Sequence, residues 1–275
     1  MDALSELISL ALYEDSGFGD ITTAPLVCKA ITGSGIIVAK EPLVLSGMKV
    51  AERVFRTVDP EVKVSSLFRD SDRIQSGDTV MKVTGDLKAM LKSERVALNF
   101  LQRLSGIATF TRSIVEHLDN KEVRVVDTRK TTPGWRCIEK AAVCDGGGHN
   151  HRMSLFDGVL IKDNHISAAG GILNAVAAIR PKLSHLIRIE VEAATMAQVE
   201  EALSAEADII MLDNMTISDM KKAVDLIDQR ALVEASGNIS RDNIREVAAT
   251  GVDMISMGAL TNQARAVDLS MRIHV

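Results

Sequence analysis

From Val123 to the end of the chain one hydrophobic pattern repeats. Short apolar runs rich in β-branched residues end in polar or charged positions, and each is followed by an alanine-rich stretch with helical spacing. The runs predict strands at Val123–Asp127, Gly158–Lys162, Leu186–Glu192, Asp208–Asp213, Leu232–Ala235 and Asp253–Met257. The stretches between them predict helices near Ile138–Val143, Gly171–Ile179, Met196–Ala205, Ser218–Gln229 and Arg241–Thr250. Strands alternating with helices at this spacing imply βαβ units and a parallel sheet. No GxGxxG turn follows a first strand, so the six units point to an α/β fold built as a TIM-like barrel rather than an open doubly wound sheet.

The preceding part reads as an α+β domain. Helices are predicted at Ala3–Tyr13 and Met48–Val58, and strands at Gly35–Ala39, Val62–Ser65 and Thr79–Thr84 with glycine turns between them. A helical pattern then runs from Asp86 to about Leu118, with a break or bend expected at Ser105-Gly106, since glycine costs ~1 kcal/mol in a helix interior. The tail Leu269–His274 alternates like a strand that could return to the first domain. The expected division is residues 1–110, 111–265 and 266–275.

Composition narrows the class. The 275 residues carry 32 Lys+Arg against 37 Asp+Glu and are 46% hydrophobic, which excludes a disordered chain and argues against general nucleic-acid binding. No apolar run approaches the ~18 residues of a membrane helix, and the start lacks the basic stretch and apolar block of a secretion signal. Cys28, Cys137 and Cys144 form no CxxC pair, so a reducing cytoplasm with the thiols as small core residues is the expectation.

Chemistry concentrates at predicted strand ends. Asp127-Thr128-Arg129-Lys130-Thr131-Thr132-Pro133-Gly134, Gly146–Arg152 and Ile161-Lys162-Asp163-Asn164-His165 hold most of it. Between Arg124 and Lys162 seven Lys/Arg face four Asp/Glu, a locally basic stretch in an acidic chain. Arg129, Lys130, Arg152 and Lys162 would converge on one cavity, because barrels build their sites at the C-terminal ends of strands. Guanidinium forks and ammonium groups gathered there need a multiply anionic ligand. As isolated residues they would be ordinary solvated cations; four at successive strand ends are not. His149-x-His151 could ligate a metal, but no acid or cysteine lies at suggestive spacing, and His151 beside Arg152 suits anion binding better. His165 could cap or orient the turn after Lys162.

Glu190 and Glu192 alternate and therefore face the same way, and Asp213 ends the next strand. Carboxylates at adjacent strand ends can hold Mg²⁺ or sugar hydroxyls, although Asp213 could instead cap a helix starting near Thr216. The segments around Ser236-Gly237 and Gly258 offer glycine turns that could open helices and cradle phosphate on their N–H groups.

These residues resemble the quinolinate phosphoribosyltransferase family, the carboxylating nicotinate-nucleotide pyrophosphorylases. The resemblance rests on Asp127–Gly134, Gly146–Arg152, Ile161–His165, Leu98–Thr109 and Glu14-Asp15 with Gly19–Thr23, and covers nearly the whole chain. Trp135, Ala141 and Asn262 depart from the residues common there. The resemblance implies an α+β domain joined to an open parallel α/β barrel, working as a homodimer. It implies transfer of a phosphoribosyl group from phosphoribosyl pyrophosphate to quinolinate with Mg²⁺, releasing pyrophosphate, CO₂ and nicotinate mononucleotide in NAD biosynthesis. It further implies that Arg129, Lys130, His151, Arg152 and Lys162 hold quinolinate and neighbouring phosphate, with Arg103 reaching the partner subunit's site. Glu192 and Asp213 would bind ribose and Mg²⁺, and Ser236, Gly237 and Gly258 would cradle phosphate; Lys130, Lys162, Glu192 and Asp213 would be the catalytic set. A molybdenum-associated paralogue shares the fold but typically loses the Lys-Asp-Asn-His segment kept here. The rival readings are a Schiff-base lyase using Lys162 and a non-catalytic anion-binding protein.

Overall fold

The computed structural model describes residues 2–275, which form two compact units. The first comprises the chain up to Arg112 together with Thr132–Gly147 and Gln263–Val275; the second comprises Ser113–Thr131 and Gly148–Asn262. The units are thus not continuous in sequence, and the helix Arg136–Asp145 groups with the first although the repeating pattern places it among the barrel helices.

In the first unit the strands are β1 (Thr32–Ala39), β2 (Leu43–Val44), β3 (Lys63–Ser65), β4 (Arg73–Ile74) and β5 (Thr79–Asp86). The tail strand Leu269–His274 pairs antiparallel with β1, from Ser34 opposite His274 to Ala39 opposite Leu269, as its alternation predicts. With β5 and β3 it completes a four-stranded sheet, while β2 and β4 pair separately. The helix Met48–Val58 has its predicted bounds and buries Val50, Ala51, Val54 and Phe55 on one face.

The helix Leu87–Leu118 is continuous through Ser105-Gly106, so the expected break is absent. Gly106 answers to packing instead: a Cβ there would lie 2.0 Å from the Arg265 carbonyl oxygen. The cysteines also depart from expectation. All three are exposed thiols, not core residues.

In the second unit six parallel strands follow, β6 (Arg124–Val126), β7 (Val159–Ile161), β8 (Ile189–Ala193), β9 (Ile209–Asp213), β10 (Leu232–Ser236) and β11 (Met254–Ser256). Their order is β6-β11-β10-β9-β8-β7, so the first strand pairs with the last while the sheet remains open between β6 and β7. This is the open α/β barrel. Helices Ile172–Ile179, Met196–Ser204 and Ile217–Ile227 intervene, and the predicted Arg241–Thr250 helix shortens to Ile244–Ala248. The central strands are buried almost throughout, including the positions of Glu190 and Glu234. Among the described residues no helix is long and apolar enough to cross a membrane.

Candidate active site

Parallel register brings the strand ends level. Glu192 pairs with Met211, Met211 with Glu234, and Asp213 with Ser236. Side chains alternate along each strand, so Glu192, Met211 and Glu234 form one inward row. Above it lies a cavity of about 540 Å³ lined by Arg129, Lys130, His151, Arg152, Lys162, Glu192, Asp213, Ser236 and Gly237, among others. Nine of the eleven residues proposed from sequence therefore meet in one hollow.

Each cation is positioned locally. After β6 the Thr128 hydroxyl accepts from the Lys130 N–H at 3.0 Å, and the Thr261 hydroxyl donates to the Lys130 carbonyl at 2.7 Å. Gly258 contributes close approach rather than lining: a Cβ on it would sit 2.7 Å from the Lys130 side chain. The segment His149–Arg152 docks along β6, with N–H bonds from His149 to the Val125 carbonyl and from Asp127 to the His149 carbonyl. The fully buried Asp127 carboxylate then accepts the His151 N–H at 2.9 Å. Arg152 donates to the Gly158 carbonyl at 3.0 Å and otherwise faces the cavity. Its guanidinium pKa is lowered first by burial and then by the charge of Arg129, the signature of like charges gathered in a drying pocket. At the end of β7 Lys162 donates to Glu192 at 2.7 Å, and His165 Nδ1 accepts the Lys162 N–H at 3.0 Å, capping the helix Asp163–Ala169 that follows.

Asp213 is not a helix cap. Thr216 caps Ile217–Ile227, leaving Asp213 to accept from Asn214 at 2.8 Å and to line the cavity. Asn238 in turn donates to Asn214 at 2.9 Å. Gly237 (φ 88°) lies so near that a Cβ would be 2.3 Å from Asn214 Oδ1. The Ser236–Asn238 turn does not open a helix directly, contrary to expectation. The next helix starts at Ile244, so any anion there meets turn N–H groups and not a helix end.

Arg103 lies in the first unit and is not among the lining residues. Its guanidinium donates to Glu139 at 3.2 and 3.1 Å and to the Ala264 carbonyl at 2.5 Å.

Sequence reading missed the floor. Glu190 and Glu234 are 4% and 1% exposed, and His151 Nε2 lies 3.0 Å from Glu190 and 3.7 Å from Glu234. Burial, then the charge of Glu190, push Glu234 up to about 7. The three groups lie within 4.8 Å, near enough to grip a metal. However, His151 Nδ1 accepts the Arg152 N–H at 2.7 Å. Nδ1 is thereby taken up by the backbone, leaving Nε2 to face the two carboxylates. The available signal was an acid inside an apolar strand at the same alternation as Ser236.

Comparison with known proteins agrees with this arrangement. Residues 20–105 match the N-terminal domain of quinolinate phosphoribosyl transferase, and residues 107–272 match its C-terminal domain. The chain is 40% identical over 274 residues to a probable nicotinate-nucleotide pyrophosphorylase [carboxylating] of Bacillus subtilis, covering 98% of this chain and 93% of the relative. A Synechocystis protein of the same description is 43% identical over 265 residues, covering 95% and 90%. Among solved structures, NadC from Streptococcus pyogenes superposes with a TM-score of 0.94 at 41% identity, covering 98% of this chain and 96% of the other. The nicotinate-nucleotide pyrophosphorylase from Francisella tularensis does so with a TM-score of 0.94 at 38% identity, covering 99% and 96%. With both domains matched in order, cationic strand ends included, this chain belongs to the quinolinate phosphoribosyltransferase family.

Proposed function

We propose that this protein transfers the phosphoribosyl group of phosphoribosyl pyrophosphate to quinolinate with decarboxylation, yielding nicotinate mononucleotide, CO₂ and pyrophosphate for NAD biosynthesis. The observation that carries this reading is the convergence of Arg129, Lys130, Arg152 and Lys162 on one cavity. Quinolinate is a dianion and answers two of these charges; singly charged nicotinate would leave one of the two unanswered, at a cost of about 1.5–3 kcal/mol.

The pyridine nitrogen attacks the anomeric carbon as pyrophosphate leaves with the bonding pair. Carboxylates of Glu192 and Asp213 stand where they can offset positive charge developing on the ribose and hold its hydroxyls. Their hard oxygen atoms suit Mg²⁺, which would be held by Glu192 and Asp213 with substrate oxygens and would offset charge on the leaving group. The Ser236–Gly237 turn and Gly258 would accommodate phosphate. Arg103 of the partner subunit would complete the quinolinate site in a cytoplasmic homodimer. No covalent enzyme intermediate is required. A Schiff-base role for Lys162 fits poorly: its side chain is 45% exposed and ion-paired with Glu192, not desolvated in an apolar pocket. Retention of Lys162–His165 likewise weighs against the molybdenum-associated paralogue.

Incubation with quinolinate, phosphoribosyl pyrophosphate and Mg²⁺ should release CO₂ and nicotinate mononucleotide in equal amounts. Quinolinate binding without product would favour the non-catalytic reading, and borohydride trapping of substrate on Lys162 would favour the lyase.

A further inference from the structure

Loss of CO₂ from quinolinate mononucleotide leaves an electron pair on ring C2, next to the cationic nitrogen, and that carbon must take up a proton. Resting on the reaction proposed above, we propose that Glu234 is the acid that supplies it.

The geometry singles out Glu234. It stands on β10 in the inward row with Glu192 and Met211, at the cavity wall. Its Oε1, like that of Glu190, has no hydrogen-bond partner among the described residues, but only Glu234 of the two lines this cavity. His151 Nε2 lies 3.0 Å from Glu190 and 3.7 Å from Glu234. Glu234 is thus the buried carboxylate farther from the imidazole, and burial beside Glu190 favours its protonated form. The charged and titratable groups facing Glu234 are Glu190 on β8, His151 on the segment docked to β6, and Lys162 at the end of β7. The elevation of Glu234 to about 7 agrees with this assignment, because a general acid works best with its pKa near ambient pH.

The other cavity groups are poorer donors. Arginine does not release its proton, Lys162 is engaged by Glu192, and an ammonium such as that of Lys130 is ordinarily a weaker acid than a carboxyl. In the step itself the C2–carboxylate bond breaks, CO₂ departs, and the electron pair left on C2 takes the Glu234 proton. Glu234 ends as a carboxylate and regains a proton from solvent as product leaves.

The test uses the intact protein in an equal mixture of H₂O and D₂O, reading deuterium at ring C2 of nicotinate mononucleotide together with the pH dependence of kcat. For the wild type, kcat should fall as pH rises through about 7, where Glu234 loses its proton. Glu234→Gln should lower kcat about 100-fold or more, leave KM for quinolinate within about threefold, abolish that descending limb and change the H/D ratio at C2. Glu234→Asp, which keeps an acid, should retain the wild-type ratio and limb at reduced kcat; it decides the question if the Gln variant does not fold. An unchanged H/D ratio and limb in Glu234→Gln, or loss of both in a folded Glu234→Asp, overturns the assignment, leaving water or Lys130 as donor. A wild type that forms no nicotinate mononucleotide overturns the reaction reading itself.

Discussion

Glu139 has no solvent exposure, yet it is a full hydrogen-bond acceptor. Its carboxylate takes two bonds from Arg103, one from the Thr132 N–H at 3.0 Å and one from the Thr132 hydroxyl at 2.8 Å. Removing it strands a half-buried guanidinium and a backbone donor together. Glu139→Ala should therefore lose about 3 kcal/mol of stability in urea unfolding, whereas an equally stable variant would show the cluster to be ornamental. In the cavity, Arg129 and Lys130 have no carboxylate partner among the described residues, so they are available to a ligand. Losing a charge-assisted hydrogen bond to a ligand carboxylate costs about 1.5–3 kcal/mol. Arg129→Ala and Arg152→Ala should thus raise KM for quinolinate about 100-fold while leaving thermal stability close to wild type. These cations were legible from sequence because each sits in a dense motif at a strand end. The Glu190–Glu234–His151 floor was not, because its members come from segments far apart in the chain, with β9 separating the two strands. Only the barrel's closure brings them together.

Among the elements, the barrel strands were read within a few residues because burial leaves short runs dominated by β-branched and other apolar residues. The helix Asp163–Ala169 escaped notice for the opposite reason: it buries no residue, so it has no apolar stripe to detect. Gly106 shows local propensity yielding to packing, since the long helix keeps its course and the glycine admits the Arg265 carbonyl. Gly106→Ala forces that backbone apart and should lower the melting temperature by several degrees, although alanine is the better helix former. The tail is pinned through Arg265, whose guanidinium meets Glu41 at 2.8 Å and, through its other amino group, at closer range. Arg265 holds the Glu41 carboxyl at about 2 against an ordinary 4.5. A depressed folded-state pKa adds stability above the unfolded value and loses it as pH falls through the folded one. The pair's contribution should be present above about pH 4.5 and gone near pH 2. Acid unfolding of Glu41→Gln beside wild type checks this: the two curves should separate above pH 4.5 and converge near pH 2, and a constant gap would contradict it.

For the whole molecule, the proposed homodimer, with Arg103 reaching the neighbouring site, would have a consequence that no single chain can show. Arg103→Ala and Arg129→Ala proteins, each weakened toward quinolinate, should regain part of their activity when mixed, because a hybrid dimer would hold one site with both arginines. Failure despite demonstrated subunit exchange would remove Arg103 from the neighbouring site. In the proposed reaction the charge of the hollow at the strand ends would match a ring bearing two carboxylates. Calorimetric titration of the protein with quinolinate and with nicotinate at one ionic strength tests this match most directly. Quinolinate should bind about 10- to 100-fold more tightly, the discrimination expected from one lost charge-assisted contact in a partly exposed site. Equal affinities for the two acids would contradict it.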